Sequence, residues 1–160
     1  MASNSVTRHL VGLISDTHGL LRPEAVRALK GCEAIVHAGD IGGAAILEAL
    51  QAVAPVTAVR GNVDKGSWAR GLAKTAAIHI GQVGVYVIHD INELDLVPEA
   101  AGFTVVVSGH SHHPSFQERD GVIYVNPGSA GPRRFRLPVS LAVMSVEGSS
   151  VDVQLVALDV

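Results

Sequence analysis

Seven side chains able to bind metal ions lie in short groups along the chain, each group following an apolar segment. They combine carboxylate, amide and imidazole groups, and they are Asp16, His18, Asp40, Asn62, His89, His110 and His112. Oxygen and nitrogen donors without a thiolate suit Mn²⁺, Fe or Zn²⁺ better than a soft metal. Two such ions about 3.5–4 Å apart would clamp a phosphate group and lower the pKa of a bound water towards about 7. The set therefore indicates metal-dependent chemistry on phosphate.

Spacing within the set favours shared ions. Because side chains alternate along an extended chain, we expect Asp16 and His18 to face one side and hold the same ion. The same spacing separates His110 from His112, which would present two imidazoles together. Asp40 falls midway in the set, and its two carboxylate oxygens can bridge two cations. Taken singly, each residue has an ordinary explanation as a turn, cap or surface residue, but the full set favours ligation.

The first third of the chain predicts alternating strands and helices. We predict strands over 9–15, 34–38 and 55–59, with helices over 23–30 and 44–52 between them. This βαβαβ order implies a parallel sheet with right-handed crossovers. Ligands of open α/β sheets bind beyond the carboxyl ends of the strands. We therefore expect the candidate ligands to converge at that edge.

The remainder of the chain predicts hairpins. Turn residues separate three pairs of strand-like segments, at 76–80 with 83–89, 116–119 with 122–126, and 140–146 with 151–158. A further strand is predicted over 104–108 and a helix over 94–101. The chain contains no repeat or linker, so we expect one α/β domain over residues 1–160, with a mixed sheet or two sheets packed face to face.

Composition excludes several classes of protein. The 160 residues are 48% hydrophobic with a net charge of −3, which excludes a disordered chain and is typical of a folded chain with a sizeable core. A near-neutral charge gives no support for nucleic-acid binding. No apolar segment is long enough to cross a bilayer, so no membrane partner is expected. The single Cys32 and a polar start without a signal peptide favour a cytoplasmic location.

The motifs around these residues resemble a known family. Asp16-x-His18, Gly39-Asp40, Gly61-Asn62-x-Asp64, His89 and Gly109-His110-x-His112 stand in the order of the calcineurin-like metallophosphoesterases. The Asn-Pro-Gly-Ser segment at 126–129, followed by Pro132-Arg133, resembles the small bacterial and archaeal phosphodiesterase branch of that family. The resemblance implies a four-layer αββα sandwich with two mixed β-sheets and a dinuclear metal site at the strand ends.

The resemblance also implies a role for each candidate. It assigns one ion to Asp16, His18, Asp40 and His112, and the other to Asp40, Asn62, His89 and His110. Asp40, Asn62 and His110 are the expected catalytic residues. The implied cofactor is two divalent ions, with Mn²⁺ favoured and Fe, Zn²⁺, Ni²⁺ or Co²⁺ as alternatives. Relatives that form dimers or tetramers make a homo-oligomer an open expectation.

The implied activity is hydrolysis of a small-molecule phosphodiester by a metal-bound hydroxide. Val63 stands where other family members carry a histidine that protonates the leaving group or steadies the phosphate. A monoester carries more charge than a diester and needs more cationic partners, so this departure favours diesters. The alternatives are a phosphomonoesterase, and a non-catalytic metal-binding scaffold or sensing protein of the same fold.

Residues beside the motifs are predicted to have supporting roles. His37 is expected in the core, where its ring steadies a ligand, and Asp64 is expected to hydrogen-bond within its loop. Asp90 either orients a ligand or caps the following turn. Trp68 either packs in the core or flanks the substrate. A solvated surface or a subunit contact is expected for Arg133, Arg134 and Arg136.

Overall fold

The computed structural model describes residues 7–160, along which ten strands and two α-helices follow one another. In chain order they are β1 (Arg8–Ile14), α1 (Pro23–Leu29), β2 (Ala34–His37), α2 (Ala44–Gln51), β3 (Val56–Ala58), β4 (Thr75–Ile80), β5 (Val83–Ile88), β6 (Val105–Val107), β7 (Ser115–Arg119), β8 (Val122–Asn126), β9 (Ser140–Glu147) and β10 (Ser150–Ala157). Two short 3₁₀ helices lie in the connections, at Ser67–Ala69 and Ile91–Glu93. Every predicted strand is present within one residue of its predicted bounds.

The strands form two mixed sheets of five strands each. The first has the order β10-β9-β1-β2-β3, in which β1, β2 and β3 run parallel and β9 and β10 complete an antiparallel side. The second has the order β4-β5-β6-β8-β7, in which β5, β6 and β8 run parallel. The candidate ligands follow β1, β2, β3, β5 and β6, all of which belong to the parallel parts of the two sheets.

Apolar layers hold the sheets and their coverings together. A valine-rich layer lies between the sheets and includes Leu13, Val36 and Val85. The outer face of the first sheet packs against α1 and α2 through residues such as Leu29 and Leu50. The outer face of the second sheet is covered by the connection 91–103. The expected four-layer arrangement of two mixed sheets is confirmed, and no helix within residues 7–160 is long and apolar enough to cross a membrane.

The helix predicted over 94–101 is wrong, and the outer layer on this side is irregular. The chain forms only the 3₁₀ helix Ile91–Glu93 and then turns. Pro98 has no amide hydrogen to donate and disfavours helical geometry at the residue before it. Leu94 and Leu96 both pack onto the sheet, and their two-residue spacing does not place them on one face of a helix.

Candidate metal centre

The strand ends bring six of the seven candidates into two groups. One group contains Asp16, His18 and His112, and the other contains Asp40, His89 and His110. In each group, one donor atom from every residue lies within 4.8 Å of the others. Each group therefore offers one carboxylate and two imidazoles, the donor types that Mn²⁺, Fe and Zn²⁺ accept.

Asp40 belongs to the second group and also lies close to His18 of the first. Its Oδ2 is 3.2 Å from His89 Nε2 and 3.5 Å from His18 Nε2. Its Oδ1 accepts a hydrogen bond of 3.0 Å from the Val63 amide. Burial alone would raise the pKa of Asp40, but the close imidazole of His89 and the hydrogen bond from the Val63 amide outweigh burial and lower that pKa. The carboxylate is therefore ionised, with one oxygen facing both groups.

Four buried donor atoms in these groups have no hydrogen-bond partner among the described residues. They are Asp16 Oδ1, His18 Nε2, His89 Nε2 and His112 Nδ1. Buried polar atoms are nearly always paired, and each one left without a partner costs about 1–3 kcal/mol. Their concentration at one edge indicates a common partner. A carboxylate oxygen and neutral imidazole nitrogens are suited to divalent cations, so the residues present fit a pair of metal ions.

Neighbouring groups orient the donors of Asp16 and His89. Asp16 Oδ2 accepts hydrogen bonds from Ser15 Oγ at 2.7 Å and from the His110 amide at 3.1 Å, which leaves Oδ1 to face the site. His89 Nδ1 lies 2.8 Å from the Ala38 carbonyl oxygen, to which it must donate. When the ring is neutral, its Nε2 therefore carries the lone pair.

The pKa shifts around the centre describe how it responds to protons. Burial raises the pKa of Asp16. Burial would lower the pKa of His89, but its contacts with Asp40 and Ala38 outweigh this and raise it. Burial lowers the pKa of His112, and Arg134 adds to the effect. Metal binding at His89 needs the same Nε2 lone pair that a proton would take, so a cation and a proton would compete for this residue.

Asn62 follows β3 and lines a cavity of about 320 Å³ together with His89. The residues on either side of it contact Asp40. A Cβ atom on Gly61 would overlap the Asp40 backbone and Oδ1, which explains why this close approach requires glycine. The structure therefore holds the Asn62 loop against Asp40, and ligation by its side chain stays a prediction.

The backbone at the site is unusual, because five of the seven candidates have positive φ angles. These are Asp16 (55°), His18 (46°), Asp40 (57°), His110 (72°) and His112 (63°). Such angles are uncommon for residues other than glycine and tend to cluster at functional sites. Asp16 and His18 do lie in one group, but the alternation of side chains along an extended strand, which was the reason for expecting this, is wrong. The two groups form because left-handed turns, rather than extended segments, direct these side chains.

His37 links the loops that follow β1 and β2. It is fully buried, and its Nδ1 accepts a hydrogen bond of 3.1 Å from the Gly39 amide. Its Nε2 must then donate to Thr17 Oγ1 at 3.0 Å, and that hydroxyl donates to the Ile41 carbonyl at 2.8 Å. Thr17 lies between two candidate ligands in the sequence. The core position expected for His37 is confirmed, and its contacts are those of a positioning residue.

We expect His37 to make the protein less stable as the pH falls below about 6.5. Burial lowers the pKa of His37 from 6.5 to about 3, and the accepted hydrogen bond at Nδ1 also opposes protonation. The unfolded chain takes up a proton below about pH 6.5, whereas the folded chain does not. The stability contributed by neutral His37 is therefore present above about pH 6.5 and is lost between that value and about pH 3.

Urea unfolding of the wild type and His37→Gln at about pH 7.5 and about pH 5.5 checks this expectation. His37 should account for about 1.4 kcal/mol of the wild-type decrease in the free energy of unfolding between the two conditions. The variant should lack this contribution while keeping that of every other ionisable group. An equal decrease in both proteins would show that His37 is not protonated on unfolding.

Two neighbouring residues predicted from the sequence have the expected contacts. Asp64 is buried and accepts hydrogen bonds from the amides of Ile41, Gly42 and Gly61. Trp68 packs against the cluster beneath the helices, which is the core alternative predicted for it.

The contacts of Asp90 are compatible with both roles predicted for it, capping the following turn and orienting a ligand. Its Oδ1 accepts a hydrogen bond of 3.0 Å from the Asn92 amide, which caps the 3₁₀ helix. Its Oδ2 lies 3.9 Å from His110 Nε2. The same carboxylate therefore caps the turn and faces a candidate ligand.

Two further residues, for which the sequence pattern predicts no role, support the site. Asn126 Nδ2 donates to the Gly109 carbonyl and to Ser111 Oγ, both at 3.0 Å. Ser129 Oγ donates to the Asp16 carbonyl at 2.9 Å. Both belong to the Asn-Pro-Gly-Ser segment, so the motif was visible in the sequence even though its contacts were not.

Three comparisons relate this chain to known proteins. The family model described as "Calcineurin-like phosphoesterase superfamily domain" matches residues 10–149. A "Probable metallophosphoesterase" from Methanothermobacter thermautotrophicus is 33% identical over 159 residues, covering 92% of this chain and 91% of that protein. A "Phosphodiesterase" from Methanocaldococcus jannaschii is 24% identical over 137 residues, covering 74% and 82%. The structure of Vacuolar Protein Sorting 29 from Cryptosporidium parvum shares the fold, with a TM-score of 0.76, 18% identity and coverage of 93% and 97%.

Proposed function

Because the chain belongs to the calcineurin-like phosphoesterase superfamily, we propose that it hydrolyses phosphodiesters at a centre of two divalent metal ions. The observation that carries this proposal is the Asp40 carboxylate, which faces His18 on one side and His89 on the other. A carboxylate shared between two sets of imidazoles is suited to bridging two cations. The unpartnered donor atoms around it support the same interpretation.

The proposed ligand sets share Asp40. One set is Asp16, His18, Asp40 and His112, and the other is Asp40, Asn62, His89 and His110. When bound, two divalent ions supply positive charge to phosphate oxygens and lower the pKa of a bound water. The chain itself positions the donors: Ser15 orients Asp16, and Ala38 fixes the His89 ring. Catalysis then consists mainly of positioning and charge neutralisation.

Two observations favour diesters over monoesters. Val63, which is 46% exposed beside the site, can neither donate a proton nor bind a phosphate oxygen through its side chain. The relative from Methanocaldococcus jannaschii bears the name of a phosphodiesterase. A monoester dianion requires more positive charge than a diester, and Val63 supplies none. Mn²⁺ as the native ion, a cytoplasmic location and a homo-oligomer stay predictions.

Hydrolysis by metal-stripped protein tests the proposed function. Bis(p-nitrophenyl) phosphate and p-nitrophenyl phosphate should be compared with no metal and with Mn²⁺, Zn²⁺, Ni²⁺ or Co²⁺ added. We expect diester turnover that requires added metal and exceeds monoester turnover. Faster monoester turnover would support the phosphomonoesterase. No turnover of either ester, with two ions bound per chain, would instead support a non-catalytic scaffold or sensing protein.

A further inference from the structure

A cavity of about 320 Å³ opens beside two of the proposed ligands, Asn62 and His89. Its other walls come from the end of β3, the start of β4 and the connection after β5. The polar residues among them are Arg60, Lys74, Thr75, Glu93 and Asp95. Ligand pockets begin at about this size. A substituent of a phosphate ester held at the metal centre would therefore have room to enter.

Arg60 is the half-buried cation of this cavity. Its Nη2 donates to the Ala69 carbonyl at 2.6 Å, and its backbone amide donates to the Ala73 carbonyl at 2.8 Å. The first contact orients the guanidinium, and the second holds the backbone of Arg60 in place. Its Nε has no hydrogen-bond partner within residues 7–160, and no carboxylate of these residues comes within 4.0 Å of it. A half-buried guanidinium without a counter-ion is suited to binding an anion.

The remaining charged residues of the cavity do not neutralise Arg60. Lys74, Glu93 and Asp95 are exposed to solvent, where their charges are screened by water and salt. The charge of Arg60 is screened less because its side chain is partly removed from water. A ligand entering the cavity would therefore interact most strongly with Arg60.

We propose that Arg60 binds a second anionic group of the substrate, so that the site prefers phosphodiesters carrying a distal phosphate or carboxylate. This inference rests on the proposed function. The scissile phosphate occupies the metal centre, and the distal anion reaches the guanidinium through the cavity beside Asn62 and His89. Arg60 is thus a specificity-determining residue. The planar guanidinium can donate two parallel hydrogen bonds to a phosphate or carboxylate.

Two chromogenic diesters that differ only in a distal phosphate test the proposal. Thymidine 5′-(p-nitrophenyl phosphate) carries a 3′-hydroxyl, whereas its 3′-phosphorylated counterpart carries a second anion, and both release p-nitrophenol. We expect kcat/KM of the metal-loaded wild type to be at least about tenfold higher for the 3′-phosphorylated diester, the size of a charge-assisted hydrogen bond. Equal kcat/KM values for the two diesters would overturn the proposal.

Substitutions of Arg60 connect that preference to its side chain. In Arg60→Met the ratio of the two kcat/KM values should fall to about one, and in Arg60→Lys it should be intermediate, because a lysine keeps the charge without the paired donors. Arg70→Met is the matched control. Arg70 is exposed, follows the 3₁₀ helix Ser67–Ala69 that Arg60 contacts through the Ala69 carbonyl, and does not line the cavity. A ratio that Arg60→Met leaves at the wild-type value would assign Arg60 a purely structural role.

Binding separates this inference from the proposed function. Isothermal titration calorimetry of the Mn²⁺-loaded protein should give a lower Kd for thymidine 3′,5′-bisphosphate than for thymidine 5′-monophosphate, by at least about tenfold. Arg60→Met should abolish the difference. Tighter binding of the bisphosphate without hydrolysis of any diester would contradict the proposed function but support the anion site at Arg60. Hydrolysis of bis(p-nitrophenyl) phosphate without selective binding would contradict the anion site alone.

Discussion

Asp40→Asn is expected to reduce kcat/KM for bis(p-nitrophenyl) phosphate by about 10³-fold or more. The substitution keeps the size of the side chain and the acceptor for the Val63 amide. It removes the negative charge that faces His18 and His89. An amide cannot bridge two cations as a carboxylate does, so the variant should also bind fewer than two ions per chain.

The test combines steady-state kinetics with metal analysis after gel filtration. Asp152→Asn provides a matched control, because Asp152 is exposed on β10 and lies outside both ligand sets. Because the fold lowers the pKa of Asp40, its charge stabilises the metal-free protein, so we expect Asp40→Asn to fold cooperatively but to unfold at a lower urea concentration than the wild type. Turnover within about tenfold of the wild type, measured with two ions bound, would refute the bridging role.

Asp64→Ala is expected to lower the free energy of unfolding by about 3–5 kcal/mol. The Asp64 carboxylate accepts hydrogen bonds of 2.9, 3.0 and 2.8 Å from the amides of Ile41, Gly42 and Gly61. These amides belong to the loops after β2 and β3, so one side chain joins two separate loops. Its removal takes away three hydrogen bonds to a charged acceptor, each worth about 1.5–3 kcal/mol, and leaves the buried Ile41 amide without a partner, while the less buried amides of Gly42 and Gly61 can turn to water.

Urea denaturation of Asp64→Ala, Asp64→Asn and the control Asp152→Ala measures this effect. Asp64→Asn keeps one of the two acceptor oxygens and should lose less stability than Asp64→Ala. Asp152→Ala should differ from the wild type by less than about 0.5 kcal/mol. If Asp64→Ala were as stable as this control, the three hydrogen bonds would contribute nothing to the fold. The contrast with Asp40 distinguishes a residue that supports the site from one proposed to act in it.

Much of the fold could be predicted because its signals are local. Each buried strand is a short apolar segment bounded by polar or turn residues, as in β1 and β6. Asp120 and Gly121 form the turn between β7 and β8, both with positive φ. The position of the candidate ligands was also predictable, because they follow strands that run parallel. The topology then brings their side chains to one edge.

The details of the site depended on contacts between distant segments. The left-handed backbone of Asp16 is held by hydrogen bonds from its amide to the Gly39 carbonyl and from Ser129 to its own carbonyl. No local pattern specifies such an angle for an aspartate. The connection 91–103 was mispredicted for a similar reason: burying Leu94 and Leu96 against the second sheet prevailed over helix formation.

Five candidate ligands have a left-handed backbone, and this conformation directs their side chains into the site at a cost to the stability of the fold. Such a conformation costs a residue other than glycine about 1–2 kcal/mol, and the sheets must provide the stability that tolerates it. A descendant of this chain that no longer needed metal would relieve this backbone cost by placing glycine where the side chain is exposed, as at His110. Selection for robustness alone would therefore erase the metal centre first, while leaving the two sheets intact.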